Sequence, residues 1–385
     1  MAVKDQLDRL AAFEPAPYPV ISLYLNTKPG HTGRDQFQTF VRKEFAARAR
    51  TYPAGSPECD SLEKDLDRIA RFLDNELDPA ANGVAVFACS AGELFEAVQV
   101  PARIDQHWLY IGDRPHLYPL ARVASQYPRY AALLADTNTA RILVFATGEL
   151  VAEEEVIGTK TKRNAQGGWS QARFQRHVEN FHVQHVKEVV DALEKIVLRE
   201  GLTEIVVSGD EVVMPLLRDQ MPKHLQEKIV DQVRIDTDAP LHEVIKTSLD
   251  AMKRVHSQTE REKVEAAVGA YRAGGLGVVG PEDTLDALGK GQVDELLITA
   301  RVRELEPVGP RAAARAASSI RQSLPEPAVQ SAAAGEAAQV GDTVVRLADE
   351  LVNKATQTAA RITFVEDPAL LSEFGGVAAL LRFRI

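Results

Sequence analysis

The sequence has 385 residues, 45% hydrophobic and 26% charged, with 45 Lys and Arg against 55 Asp and Glu, a formal net charge of −10. That balance excludes indiscriminate nucleic-acid binding, which depends on neutralising phosphates with basic side chains, so any RNA contact must be local. No run approaches the roughly 20 apolar residues of a membrane span, the apolar content suffices for proper cores, and the length predicts two or three domains.

Cys59 and Cys89 are too few for a disulfide framework or a zinc cluster, which fits a reducing cytoplasm. The opening "MAVKDQLDRLAAF" mixes acids with apolar residues and predicts an amphipathic helix, not a secretory signal. Up to about residue 130, helical patterns over 36–50 and 61–77 alternate with the apolar runs "YPVISLYLN", "GVAVFACS" and "ELFEAVQV", the order of an α/β unit. Two β-rich runs, 130–136 and 140–145, are joined by the turn-prone "DTNT", and a further strand follows "TGE".

The segment "IGTKTKRNAQGGWS" reads as a loop, and a long helix is predicted over 171–200. Phe174, Val178, Phe181, Val186, Val189, Leu193 and Ile196 fall three to five residues apart and make one apolar stripe, with Gly201 as the stop. Then come a buried strand "TEIVVSGD", a helix from Glu211, a strand "DQVRID" and a helix from Leu241 that runs past Arg261. The alternation predicts parallel strands with crossover helices. The last region reads as a helix "EKVEAAVGAYRAGG", a tight glycine-rich turn "GLGVVG", a short helix with Pro281 in its first turn and a strand "VDELLIT". Residues 307–340, rich in Ala, Pro and Ser, have the composition of a mobile insertion. A helix over 342–356, a strand "ARITFVED" and the ending "LLSEFGGVAALLRFRI" close the chain.

The chemistry concentrates around "NAQGGWSQARFQR". Lys160, Lys162, Arg163, Arg173 and Arg176 occur with no Asp or Glu between Gly158 and His177, unexpected in so acidic a chain. Ordinary surface cations on a solvated loop would account for the charges alone. Gly167 and Gly168 add a backbone that can approach another surface closely, and a basic, glycine-containing tip at a helix N-terminus suits phosphate-rich RNA. Gln171 cannot be a general base, but a positioned amide or its backbone N–H can orient a water and stabilise a developing oxyanion; its plain role is a solvent-facing helix start. Trp169 can stack on a base or fold back on its own domain.

Other constellations are weaker. His177, His182 and His185 share the helix, yet no carboxylate stands at metal spacing and there is no HExxH, so no metal is expected. The glycines from Gly274 to Gly280 follow a helix instead of a strand and lack a P-loop Lys-Ser/Thr, which points to packing. There is no GxSxG elbow for a hydrolase triad.

Two segments carry a family resemblance. "RYAALLADTNTARILVFATGELVAEEE" with "GGWSQARFQRHVENF" resembles the central domain, with its GGQ-type loop and following helix, of the archaeo-eukaryotic release factor superfamily. "GLGVVGPEDTLDALGKGQVDELLIT" with "EFGGVAALLRF" is similar to that superfamily's C-terminal domain. The resemblance, to a bacterial member closest to the Vms/Ankzf-type peptidyl-tRNA hydrolases, covers about residues 80–385. It implies a three-domain α/β, release-factor/Pelota-like architecture with mixed sheets flanked by helices. The domains would be 1–130, a central RNase H-like domain 131–262 with the loop, and 263–385 with the 307–340 insertion.

The implied partners are the large ribosomal subunit's rRNA at the peptidyl-transferase centre and peptidyl-tRNA, with a translational GTPase as a candidate delivery partner and no cofactor or membrane. In that reading Gly167 and Gly168 give the narrow approach and Gln171 positions the water or the tRNA's terminal hydroxyls. Lys160, Lys162, Arg163, Trp169, Ser170, Arg173 and Arg176 would bind RNA. The pattern departs from a release factor in two ways. Trp169 and Ser170 separate the glycines from Gln171, closer to the spaced Gly-Gly-x-x-Gln form. The stop-codon motifs Asn-Ile-Lys-Ser and Tyr-x-Cys-x-x-x-Phe have only the poor imitations "NTKPG" at Asn26 and "FACSAGELF" at Phe87, so codon reading is not expected. The expectation is a codon-independent peptidyl-tRNA hydrolase that frees stalled chains, by ester hydrolysis or by cutting the tRNA near its 3′ end; a non-catalytic Pelota-like A-site binder in rescue or hibernation and a free-standing RNA-binding or interaction protein are the alternatives.

Overall fold

The computed structural model describes residues 3–14, 18–28, 37–79, 81–100, 104, 106–126, 129–146, 149–158, 171–306 and 342–384. Their fold is mixed α/β, three sheets each flanked by helices. In the first sheet, β1 (Val20–Asn26), β2 (Gly83–Cys89), β3 (Leu94–Val100) and β4 (Trp108–Gly112) run in the order β3-β2-β1-β4. All three pairings are antiparallel. Helices α1 (Val3–Ala11), α2 (Phe37–Ala49), α3 (Pro57–Asn75) and α4 (Tyr118–Gln126) accompany it. α3 starts where a cap belongs: Ser56 Oγ accepts from the Cys59 N–H and Pro57 occupies the first turn. Its Leu62, Leu66 and Ile69 bury against Ile21, Leu23 and Leu25 of β1 and Val84 and Val86 of β2.

The second sheet has the order β7-β6-β5-β8-β9, formed by β5 (Tyr130–Ala135), β6 (Thr139–Ala146), β7 (Glu149–Ile157), β8 (Glu204–Gly209) and β9 (Ile229–Val233). β5, β8 and β9 are parallel, as a strand–helix alternation requires, while β5, β6 and β7 form an antiparallel meander. α5 (Gln171–Glu200), α6 (Val213–Gln220) and α7 (Lys223–Gln226) intervene, and α8 (Leu241–Arg272) follows. One sheet face packs Leu133, Ile142, Val144 and Val207 against Val186, Val189, Leu193 and Ile196 of α5. The other packs Tyr130, Leu134 and Phe145 near Val244, Ala251 and Met252 of α8. β7 lies at the edge, and its exposed Glu149, Glu153, Glu154 and Glu155, with a register shift between Val144 and Phe145, are features that discourage edge-to-edge pairing.

The third sheet, of order β10-β13-β11-β12, comprises β10 (Gly277–Val279), β11 (Val293–Thr299), β12 (Arg361–Val365) and β13 (Val377–Leu381), with α9 (Pro281–Gly289) and α10 (Asp342–Gln357). Here "GLGVVG", expected as a turn, contains the edge strand β10 paired antiparallel to β13. Gly277 is what lets it lie there. A Cβ at that position would stand 2.3 Å from the Ala267 carbonyl oxygen and 2.6 Å from the Tyr271 nitrogen, so the strand and α8 pass closer than any side chain permits. The two helical patterns read around Arg261 are one 32-residue helix, because nothing between them breaks it. The predicted insertion 307–340 lies outside the described residues.

By contacts the chain divides into two compact units: Met1–Gln126 with Thr259–Ile385, and Tyr127–Gln258. The first unit thus joins segments from both ends of the sequence, and its polar centre is Asp349. One carboxylate oxygen sits 2.5 Å from His116 Nδ1 and the other accepts from the Tyr118 N–H at 3.1 Å. The Tyr118 hydroxyl donates to the Thr299 carbonyl at 2.6 Å.

Replacing Gly277 with Ala is expected to destabilise the protein by about 1–3 kcal/mol through overpacking against α8. Equilibrium urea unfolding checks this; an unchanged midpoint would show that the backbone yields freely there.

Candidate functional site

The residues singled out in "NAQGGWSQARFQR" are placed unevenly. Gln171 is the first residue of α5, and Arg173 and Arg176 lie in its first two turns, as backbone positions whose side chains are not described. Lys160, Lys162, Arg163, Gly167, Gly168, Trp169 and Ser170 lie outside the described residues. What the structure supplies is the frame on which that segment is mounted.

One root of the frame is the turn between β5 and β6. Asp136 accepts from the Asn138 N–H at 2.7 Å, the Thr139 N–H at 2.8 Å, and the Thr139 and Thr237 hydroxyls, each at 2.8 Å. Desolvation pushes this carboxyl up, but the four hydrogen bonds outweigh it and hold it below the ordinary carboxylate range. The turn so fixed presents the Asn138 carbonyl, which accepts from the Gly158 N–H at 2.8 Å. Gly158 directly follows β7 and is the last described residue before 159–170.

The other root is α5 itself. From His185 onward its inward side chains are buried, Val186, Val189, Leu193 and Ile196 each at 1% exposure or less. Phe181 is half-buried and Gln184 exposed, and among the described members of the apolar stripe those from Val186 onward engage the sheet. At a rise of 1.5 Å per residue, Gln171 stands roughly 20 Å along the helix axis from His185. The first turn of α5 contains no acid. Four backbone N–H groups at such an end have no intrahelical acceptor, and the helix dipole adds partial positive charge there.

The roots meet at His185, which is 2% exposed. A Cβ at Gly158 would fall 3.0 Å from its Nδ1 and 3.1 Å from the Asn138 carbonyl oxygen. Among the described residues neither ring nitrogen of His185 has a hydrogen-bond partner. Each unsatisfied buried polar atom costs about 1–3 kcal/mol. The sequence singled out His182 and His185 only as metal-ligand candidates; among the described residues no group of three or more His, Cys, Asp and Glu is placed to hold a metal ion. The "DTNT" turn was legible, but its role as the root of Gly158 was not, since that contact joins residues far apart in sequence. Among the described residues no helix is long and apolar enough to cross a membrane.

Two family models match the chain in tandem: bacterial archaeo-eukaryotic release factor family 10 over residues 115–253, and eRF1 domain 3 over residues 258–385. No curated protein matches it. Among solved structures, an archaeal translation termination factor, aRF1, is 18% identical over 100% of this chain and 99% of its own, with a TM-score of 0.26. Dom34 of S. cerevisiae, described as a translation termination-like factor, is 10% identical over 76% of this chain and 73% of its own, with a TM-score of 0.42. Archaeal Pelota from a model of ribosome-bound Pelota and ABCE1 is 15% identical over 99% of this chain and 94% of its own, at 0.40. At these scores the structural likeness adds nothing to the two sequence matches.

The Asp136 turn generates a pH prediction. A carboxyl held below its unfolded value of about 3.9 contributes stability that is complete above that pH and is lost as the pH falls through the lowered folded value. Asp136→Ala is expected to cost about 2 kcal/mol near neutral pH and to flatten the acid limb of the stability profile. Urea unfolding between about pH 7 and pH 3 measures both, and a variant whose profile parallels the wild type would remove Asp136 from that limb.

Proposed function

We propose that the chain is a release-factor/Pelota-like protein that acts at the ribosome, in the cytoplasm, as a codon-independent peptidyl-tRNA hydrolase releasing nascent chains from stalled ribosomes or large subunits. In this reading 1–130, 131–262 and 263–385 are its three domains, the central one presenting 159–170 and the start of α5 to the peptidyl-transferase centre. The observation that carries the reading is local. A 30-residue helix begins at Gln171 with no acid in its first turn, separated by two residues from the glycine pair Gly167 and Gly168, with Lys160, Lys162 and Arg163 upstream of the pair.

The chemistry follows from that placement. Gly167 and Gly168 let the backbone pass close to the ester joining peptide to tRNA. The Gln171 amide orients a water toward the ester carbonyl carbon. Attack forms a tetrahedral oxyanion, which the donors at the N-terminus of α5 stabilise, and collapse expels the tRNA ribose oxygen, which takes up the proton the nucleophile loses. Lys160, Lys162, Arg163, Arg173 and Arg176 neutralise nearby phosphates, Ser170 hydrogen-bonds to the RNA, and Trp169 stacks on a base. No step requires a metal or another cofactor, and a translational GTPase is the class of partner that would deliver the protein.

The second reading, a Pelota-like factor that fills the A site in rescue or hibernation without catalysis, draws on one observation: Trp169 and Ser170 separate the glycines from Gln171. The retained glutamine favours the hydrolase.

Two measurements test the assignment. Gln171→Ala, incubated with stalled ribosome–nascent chain complexes or large subunits carrying peptidyl-tRNA, is expected to slow release by about 10²–10³ while co-sedimentation persists. Full release by that variant would sink the catalytic assignment, and intact peptidyl-tRNA with bound wild type would establish the binding factor. Arg173→Glu with Arg176→Glu is expected to weaken ribosome binding and make it less salt-dependent; equal affinity across a salt titration would remove these arginines from the interface.

A further inference from the structure

The chain is acidic overall, yet one end of the third sheet is not. β10, β11 and β12 begin at that end and β13 finishes there, and hydrogen bonds tie the flanking segments together. The Leu276 carbonyl accepts from the Leu381 N–H at 3.0 Å, and the Gln292 carbonyl from the Arg382 N–H at 2.7 Å. The Arg384 guanidinium donates to the Gly274 carbonyl at 2.6 Å, and that of Arg382 to the Ala359 carbonyl at 2.8 Å. Residues 271–276, 289–294, 358–361 and 381–384 therefore stand side by side. They carry five cations, Arg272, Lys290, Arg361, Arg382 and Arg384, and one acid, Asp294, in a chain of net charge −10.

Asp294 is engaged by Arg361 at 2.6 Å and by Arg382 at 3.5 Å, and Arg361 also stands 3.6 Å from the buried Glu295. Arg272, Lys290 and Arg384 are exposed and have no carboxylate partner among the described residues. Arg272 closes α8 and Lys290 follows α9, where a cation complements the helix dipole. Helix ends account for those charges but not for what lies among them. In the unit built from both ends of the chain, the large hydrophobic side chains exposed among the described residues are Tyr271 at 45%, Leu276 at 45% and Phe383 at 46%, all at this one end. Each aromatic adjoins arginine in sequence, Tyr271 with Arg272 and Phe383 between Arg382 and Arg384. Unpaired RNA is held by this combination, aromatic faces on which bases stack and cations that neutralise phosphates. An acidic protein surface would use the cations, but two aromatics of three apolar groups, each set against arginine, favour bases.

We infer that this end of the third sheet is a second RNA-binding surface, built from residues other than 159–176. It takes an unpaired stretch of RNA, with Tyr271 and Phe383 against bases and Arg272, Lys290 and Arg384 on phosphates. The inference rests on the ribosome-directed reading for the source of that RNA and uses none of the hydrolysis chemistry.

The test uses the full-length protein and two site variants, Arg272→Glu with Lys290→Glu, and Tyr271→Ser with Phe383→Ser. Lys246→Glu with Lys253→Glu, exposed positions on α8, is the control with the same change in net charge as the first. Thermal unfolding checks the fold of each. Affinity is measured across a salt titration for isolated large subunits and for a labelled single-stranded RNA of about 12 nucleotides. The cation variant is expected to bind both probes about tenfold or more weakly, with a shallower salt dependence. The aromatic variant is expected to bind about fivefold or more weakly at an unchanged salt slope, and the control to stay near wild type. Oligonucleotide affinity that is unchanged in either site variant, or lowered equally by the control, overturns the proposal. If large-subunit binding weakens while oligonucleotide binding does not, the surface belongs to an acidic protein and the RNA assignment is overturned. A wild type that binds the oligonucleotide but not the subunit defeats the ribosome-directed reading, and the oligonucleotide arm then decides the surface alone. A wild type that binds neither overturns both. Should one site variant not fold, the other decides against the control.

Discussion

Everything around the candidate site depends on one packing constraint, the burial of the C-terminal half of α5 against the second sheet. Val186, Val189, Leu193 and Ile196 are each 1% exposed or less, and fully burying such a side chain contributes roughly 1.5–3 kcal/mol. That stripe anchors a 30-residue helix to the sheet through Val186, Val189, Val190, Leu193, Ile196 and Val197. A stiff element held at one end carries its other end to a defined place. Local helix propensity could not do this, since an isolated helix owes most of its stability to the face it buries.

The charge distribution follows the same division. Net charge is −10, and exposed glutamates line the edge strand β7, yet the residues between Gly158 and His177 include five cations and no acid. A phosphate-rich surface would repel most of the molecule and accept this stretch, which gives orientation without broad affinity. The tight hydrogen bonding of Asp136 serves the same geometry, because the turn it fixes presents the carbonyl that holds Gly158.

Where periodicity was long, the sequence was legible. The 171–200 helix, the strands on either side of "DTNT" and the buried strand at Glu204–Gly209 are where the pattern placed them. Errors came where a contact, not a local pattern, decides the structure. β10 reads as a turn because its glycines are a turn composition, but Gly277 is there to pass beneath α8. The helix from Leu241 does run past Arg261 as the sequence suggests, and "EKVEAAVGAYRAGG", read as a separate helix beyond an expected domain boundary, is its continuation. The α/β alternation of the first segment does not reveal that its four strands pair antiparallel, since β1 takes both its neighbours from far along the chain. At the site the composition of 159–176 was legible, whereas the seat formed by Asn138, Gly158 and His185 depends on tertiary contacts that carry no local signal.

The central claim is that residues 159–170 reach the catalytic heart of the large ribosomal subunit. It is tested most directly by placing a photocrosslinker on an Ala165→Cys variant, the native Cys59 and Cys89 being free and buried, and mapping its crosslinks on rRNA. The account predicts crosslinks clustered at the peptidyl-transferase centre in complexes that hold peptidyl-tRNA. Crosslinks confined to other regions of the ribosome, or none above a label placed on β7, would contradict it.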